Sequence, residues 1–142
     1  LVNELIRPDL FHVKKQMASS KEVIDFLCDE LISKNLADER YKEDVFKRES
    51  VSATSFVNGF AVPHSIEITS KESCISIMIL DKPVKWGDFE VKLVLLLAIR
   101  DTDSHLLKIF FDWLSSIVSD SNKFRQLLEV KNYQEFIQHV IE

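Results

Sequence analysis

Two nearly unbroken apolar runs stand out against the alternating pattern of the rest of the chain. Residues 74–80 (CISIMIL) and 91–99 (VKLVLLLAI) hold few polar side chains. Short apolar runs rich in aliphatic residues read as buried strands. A strand that is apolar on both faces needs cover on both, so helices are expected above and below a sheet. Residues 83–89, around Trp86-Gly87-Asp88, read as a turn region between the two runs.

Helical periodicity frames these strands. Ser19 and Glu22 have the spacing of a capping box. Val23, Leu27 and Leu31, widened by Ile24 and Phe26, predict a helix reaching about residue 35. Asp38 caps a second helix with Tyr41, Val45 and Phe46 inward and Lys42, Glu43, Lys47, Arg48 and Glu49 as its charged surface. Its last turn gives way to a polar segment at residues 50–55. Residues 65–73 read as a loop and 101–104 as a polar turn with capping residues. From His105, the positions Leu106, Ile109, Phe110, Trp113, Leu114 and Ile117 repeat as one helix face. Ser119-Asp120-Ser121 breaks it. Phe124, Leu127 and Leu128 mark a short helix, and Asn132 caps a last one carrying Phe136, Ile137, Val140 and Ile141. At the other end, residues 1–6 are short and mixed, Pro8 ends what precedes it, and residues 10–13 suit an edge strand. The order is strand, two helices, several strands, three helices. It predicts an α/β fold, a mixed β-sheet between helical layers, and argues against a doubly wound parallel sheet.

Composition narrows the class. At 142 residues the chain is a single domain, 1–142, and 46% hydrophobic residues with ten phenylalanines supply its core. Two glycines and three prolines leave little room for disorder. The longest apolar run is far short of the ~20 residues that span a bilayer, and no signal-peptide pattern is present. A soluble, cytoplasmic protein is expected. Cys28 and Cys74 lack metal-ligand spacing and read as buried reduced thiols, which suits a reducing compartment. The net charge of −5, with basic residues scattered, provides no stripe for nucleic acid. The chain opens on Leu1, which is expected of a domain cut from a longer protein.

The candidate chemistry lies in Asn58-Gly59-Phe60-Ala61-Val62-Pro63-His64-Ser65. Gly59 permits a turn that other residues resist. Pro63 fixes its own φ and biases Val62 towards an extended backbone. His64 is thereby presented at the end of a short strand. His105 opens a helix just after the second apolar run, and helix N-termini favour anions. Arg48 precedes His64 by one short loop and offers a planar, permanently charged fork for phosphate oxygens. Ser52, Thr54 and Ser55 add hydroxyls between them. A neutral imidazole has a free lone pair and attacks phosphorus without an added base. His12 and His139 read as structural and solvated, respectively. Nucleotide-binding glycine loops, a Gly-x-Ser-x-Gly elbow and zinc-ligand spacing are all missing from the sequence, so no cofactor or metal is expected.

Taken together, Arg48-Glu49, Ser52-Ala53-Thr54 and Asn58 to His64 resemble the signature of the fructose/mannitol-type EIIA domain (type 2) of the bacterial phosphoenolpyruvate:sugar phosphotransferase system (PTS). Ser104-His105-Leu106-Leu107 and Phe111 resemble that family's second histidine region, and residues 82–86 the segment between two core strands. The resemblance covers essentially the whole chain. It implies a phosphohistidine phosphotransferase in which His64 is phosphorylated by the phosphocarrier HPr, with His105 positioning the phosphoryl group and Arg48 stabilising it. Ser52, Thr54 and Ser55 would bind around it, and no metal or cofactor would be required. The family has two uses. In one, EIIA passes phosphate to an EIIB partner during sugar uptake. In the other, it ends a transcriptional regulator or antiterminator carrying PRD modules. The opening at Leu1 and the segment from Ser52 to Asn58, with Phe56 after the Thr/Ser pair, favour the regulator. Two other readings stand beside it: an interaction module that kept the fold without the chemistry, suggested by Val57 and Phe60, and a hydrolase using a histidine pair.

Overall fold

The two apolar runs form the centre of a five-stranded mixed sheet in the computed structural model, which describes residues 2–141. Leu1, part of the mixed opening stretch, lies outside them. The chain begins with a short helix, α1 (Val2–Leu5), and an edge strand, β1 (Ile6–Lys15). Two helices follow, α2 (Ser20–Ser33) and α3 (Glu39–Val51), then two very short strands, β2 (Ser55–Phe56) and β3 (Phe60–Ala61). The long strands are β4 (Cys74–Trp86) and β5 (Phe89–Ala98). A 3-10 turn (Asp101–Asp103) leads into α4 (His105–Val118), α5 (Ser121–Leu128) and α6 (Tyr133–Ile141). Across the sheet the order is β1-β4-β5-β3-β2. The pairs β1–β4 and β5–β3 are parallel, whereas β4–β5 and β3–β2 are antiparallel.

Successive strand side chains point to opposite faces, and the two faces build two cores. Met78, Leu80, Val94 and Leu96 pack on one side against Val23, Leu27 and Leu31 of α2 and Tyr41 and Val45 of α3. Ile75, Ile77, Ile79, Leu93, Leu95 and Leu97 face the other way. They meet Phe110, Leu114 and Ile117 of α4, Leu127 of α5 and Phe136 of α6. Each fully buried aliphatic side chain contributes about 1.5–3 kcal/mol relative to exposure. The two-layer cover expected from the apolar runs is therefore present, with α2 and α3 on one face and α4 to α6 on the other.

The helix signals hold in detail. Ser19 accepts from the Glu22 N–H at 3.1 Å, while the Glu22 carboxylate reaches one residue further back than a capping box requires, to the Ala18 N–H at 3.0 Å. Asp38 caps α3 through the Tyr41 N–H, and Asn132 accepts from the Glu135 N–H ahead of α6. Cys28 and Cys74 are buried free thiols. His12 is held by Glu30 at 2.8 Å and by the edge of Phe26, a structural role. His139 is half-buried rather than fully solvated.

Five expectations need correction. Residues 2–5 are helical. Pro8 does not end the segment before it but lies inside β1, where the register with β4 shifts between Ile6 and Phe11. An edge strand tolerates the missing N–H there. The expected turn at residues 83–89 is instead mostly strand. β4 runs through Pro83 to Trp86, and only Gly87 and Asp88 turn the chain, with Trp86 paired to Phe89. A bulge between Ile79 and Val84 absorbs the proline. Finally, α3 runs two residues into the segment taken as polar loop, ending at Val51, and Ser104 makes no side-chain cap on α4.

Candidate functional site around His64

The segment carrying His64 is built from a tight hairpin and a short parallel pairing. Gly59 adopts φ +100°, the left-handed region that favours glycine, and its N–H donates to the Phe56 carbonyl at 3.0 Å. β3 then runs beside β5, and beyond it the Leu97 N–H donates to the Pro63 carbonyl at 3.0 Å. His64 forms a parallel bridge with Leu97. The histidine thus continues the line of β3 along the end of β5, as the Gly/Pro framing predicted.

The ring is oriented by its own strand. His64 Nδ1 lies 2.8 Å from the Val62 carbonyl oxygen. A carbonyl only accepts, so Nδ1 carries the proton and Nε2 keeps its lone pair. A cavity of about 240 Å³ opens beside the half-buried histidine. Tyr41 of α3, the loop after His64, the end of β5 with its following turn, and Leu107 and Phe111 of α4 line it. Ile66 and Phe111 are exposed large apolar side chains on this lining, at 67% and 43%.

Helix α3 organises the segments around this point. Tyr41, Asp44, Arg48 and Glu49 recur at helical spacing, so they share a stripe of the helix. The Tyr41 hydroxyl donates to the Leu97 carbonyl, on the residue that bridges His64. Burial raises the Tyr41 phenol well above its ordinary pKa, so it stays a donor. Asp44 takes the loop after His64. Arg48 Nη1 donates to the Ser52 carbonyl at 2.7 Å. Glu49 accepts from the Thr54 N–H and hydroxyl, both at 2.7 Å, and from Trp86 Nε1 at 3.0 Å. The Thr54 carbonyl in turn accepts the Val62 N–H at 3.1 Å. A chain of hydrogen bonds therefore runs from Glu49 through Thr54 and Val62 to the His64 ring.

The residues singled out from the sequence take different places. His64 lines the cavity. Arg48, Ser52, Thr54, Ser55 and His105 do not. Thr54 is buried, its hydroxyl donating to Glu49, and the Ser55 hydroxyl donates to the Trp86 carbonyl at 2.6 Å. His105 is exposed at the start of α4, between the lining residues Ser104 and Leu107. Two residues that the sequence reading passed over do line the cavity. Arg100 follows the end of β5, its Nε donating to Asp103 at 3.1 Å, and Tyr41 reaches in from α3. Arg100 falls between the second apolar run and the polar turn at residues 101–104 and was given no role. Its position one residue past Ile99, at the end of the apolar run, was the available signal. Among the described residues no three His, Cys, Asp or Glu side chains are grouped to hold a metal ion, and no helix is long and apolar enough to cross a membrane.

The mixed five-stranded sheet between helical layers has counterparts among solved structures. Enzyme IIA of mannitol from Escherichia coli, in its complex with phosphorylated enzyme IIB of mannitol, superposes with a TM-score of 0.82 at 16% identity. The match covers 96% of this chain and 99% of that one, and defines the fold as that of an EIIA protein. Sequence comparison defines the family as well. Residues 4–142 match the phosphoenolpyruvate-dependent sugar phosphotransferase system, EIIA 2, and the chain belongs to that family. It is 30% identical over 133 residues to the "Probable licABCH operon regulator" of Bacillus subtilis, covering 94% of this chain and 21% of that protein. It is 29% identical over 139 residues to the mannitol-specific phosphotransferase enzyme IIA component of Halalkalibacterium halodurans, covering 94% of this chain and 92% of that protein. The chain thus spans about a fifth of the regulator it resembles and nearly the whole of the stand-alone component.

Proposed function

We propose that this chain acts as one EIIA domain whose His64 accepts a phosphoryl group on Nε2 from phosphorylated HPr. The observation that carries this reading is the hydrogen bond from Nδ1 to the Val62 carbonyl at 2.8 Å, which leaves Nε2 as the nucleophilic nitrogen. In the transfer, the bond from phosphorus to the carrier breaks as the bond to Nε2 forms. The ring gains positive charge, which the Val62 carbonyl shares through the Nδ1 proton. Arg100, on the cavity lining, supplies a cation for the phosphoryl oxygens. Arg48 and His105 stand close in sequence to the cavity's segments and assist: Arg48 by holding the Ser52 carbonyl, His105 from the start of α4. Ser52, Thr54 and Ser55 act by keeping the segment ahead of the strand in place.

The module serves a sugar-responsive transcriptional regulator, in which phosphorylation adds about two negative charges next to PRD modules of the same chain. Similarity to the B. subtilis regulator supports this. A transport component that passes phosphate to EIIB is the second reading, favoured by the coverage of the H. halodurans protein. Incubation with phosphoenolpyruvate, enzyme I and HPr tests the first step. One acid-labile phosphate per chain is expected, and His64→Ala should abolish it. Undiminished labelling of that variant refutes the assignment. Partner binding without any labelling would leave an interaction module.

A further inference from the structure

Asp44 is an ionisable side chain on α3, yet only 8% of its surface is exposed. Its Oδ2 accepts from the backbone N–H groups of Ile66 and Glu67, both at 2.9 Å, and of Ile68 at 3.3 Å. The Ser65 hydroxyl donates to the same oxygen. Ser65 closes the ring of contacts by accepting the Ile68 N–H at 3.1 Å. A buried carboxylate must be hydrogen-bonded, but it need not draw every donor from one segment. Here all four come from the four residues directly after His64, and three of these, Ser65, Ile66 and Ile68, line the cavity.

Resting on the phosphoryl-acceptor reading above, we infer that Asp44 is a positioning residue for transfer at His64. Its carboxylate ties the 65–68 loop to α3, and so fixes both the cavity wall and the chain direction on the C-terminal side of the acceptor. The other side of His64 is already fixed by the Val62 carbonyl and the pairing with Leu97. The four donors also cover the carboxylate's negative charge, so that it does not oppose an anion arriving in the cavity. In-line transfer depends on reacting atoms being held near contact distance, and a displacement of about 1 Å can cost up to about a hundredfold in rate.

Asp44→Asn tests this in the full chain. The amide keeps the shape of the carboxylate but has one accepting oxygen and no charge. With phosphorylated HPr as donor, kcat should fall about ten- to a hundredfold. KM for HPr should stay within about twofold, because the loop positions the reaction rather than the carrier. His64 should still fill to one phosphate per chain. The amide proton resonances of Ile66, Glu67 and Ile68, bonded to a carboxylate in the parent chain, should shift while those of the sheet stay in place. Ser65→Ala keeps the carboxylate and removes one donor. It should give a smaller fall in kcat with the same KM, and it serves where Asp44→Asn does not fold. An unchanged kcat in either folded variant overturns the inference, and so do unshifted loop amides in Asp44→Asn. A parent chain that takes no phosphate overturns the acceptor reading itself and this role with it. The loop amides then still report whether Asp44 holds the loop.

Discussion

Glu49 joins three parts of the chain, and removing its carboxylate has a calculable cost. The side chain accepts from the Thr54 N–H, the Thr54 hydroxyl and Trp86 Nε1. Oε2 takes both N–H groups, and Oε1 takes the hydroxyl. Glu49→Gln can keep its carbonyl oxygen on the two N–H donors and turn its amide towards Thr54, whose hydroxyl rotates to accept. Only the charge is then lost. Hydrogen bonds to a charged group are worth about 1.5–3 kcal/mol and neutral ones about 1 kcal/mol, so at the lower end of that range the three bonds together should lose about 1.5–2 kcal/mol. Glu49→Ala removes all three bonds and leaves the Thr54 and Trp86 donors without a partner, at about 4 kcal/mol. Urea denaturation reads both values as shifts in midpoint at constant slope. Because Thr54 holds the Val62 N–H and Val62 holds the His64 ring, the same series should slow phosphorylation of His64 in the same order. An alanine variant as stable as the glutamine variant would show that the carboxylate does not hold the segment.

Gly87→Ala should destabilise the hairpin by about 1–3 kcal/mol, seen as a lower melting temperature. Gly87 has φ +63°, and a Cβ there would lie 2.6 Å from the Ala53 Cβ. Burial pushes the Cys28 thiol up to about 12 and Cys74 to about 11. Neither should react with a thiol reagent at pH 8 in the folded chain, and both should react in denaturant. The Asp44 carboxyl is held below the usual carboxylate range, first by the Ser65 hydroxyl and then by the loop N–H groups. Its contribution is fully present above the unfolded value of about 4 and is lost as the pH falls through the lowered folded value. Arg40, Glu43, Lys47 and Glu67 share its groove, so the test is a difference. The stability gap between parent chain and Asp44→Asn should narrow on acidification below about pH 4, and a gap independent of pH would contradict it.

What could be read from the sequence follows from how local each signal is. The two core strands were plain because a continuous aliphatic run has few alternatives, and cover on both faces follows from burial alone. Gly59 and Pro63 announced the presentation of His64 because they restrict the backbone regardless of context. The strand character of residues 82–86 was hidden because Pro83 and the Trp86-Gly87-Asp88 cluster look like one long turn, and only pairing with β5 separates the bulge from the two-residue hairpin. Asp44 and Glu49 were hidden for a different reason. On a helix rich in charge they resemble surface residues, and their roles depend on segments that fold back onto α3 from 5 to 37 positions away. Arg100 likewise gains meaning only from the cavity that Tyr41, His64 and α4 enclose with it.

The central claim is that His64 accepts phosphate on Nε2. The most direct measurement is a long-range proton–nitrogen spectrum of the histidine side chains, recorded before and after phosphorylation by phosphoenolpyruvate, enzyme I and HPr. One imidazole should change, with phosphate on Nε2 and the proton kept on Nδ1, and that ring should be missing in His64→Ala. Phosphate on Nδ1 of His64, on His105, or on no histidine would contradict the account.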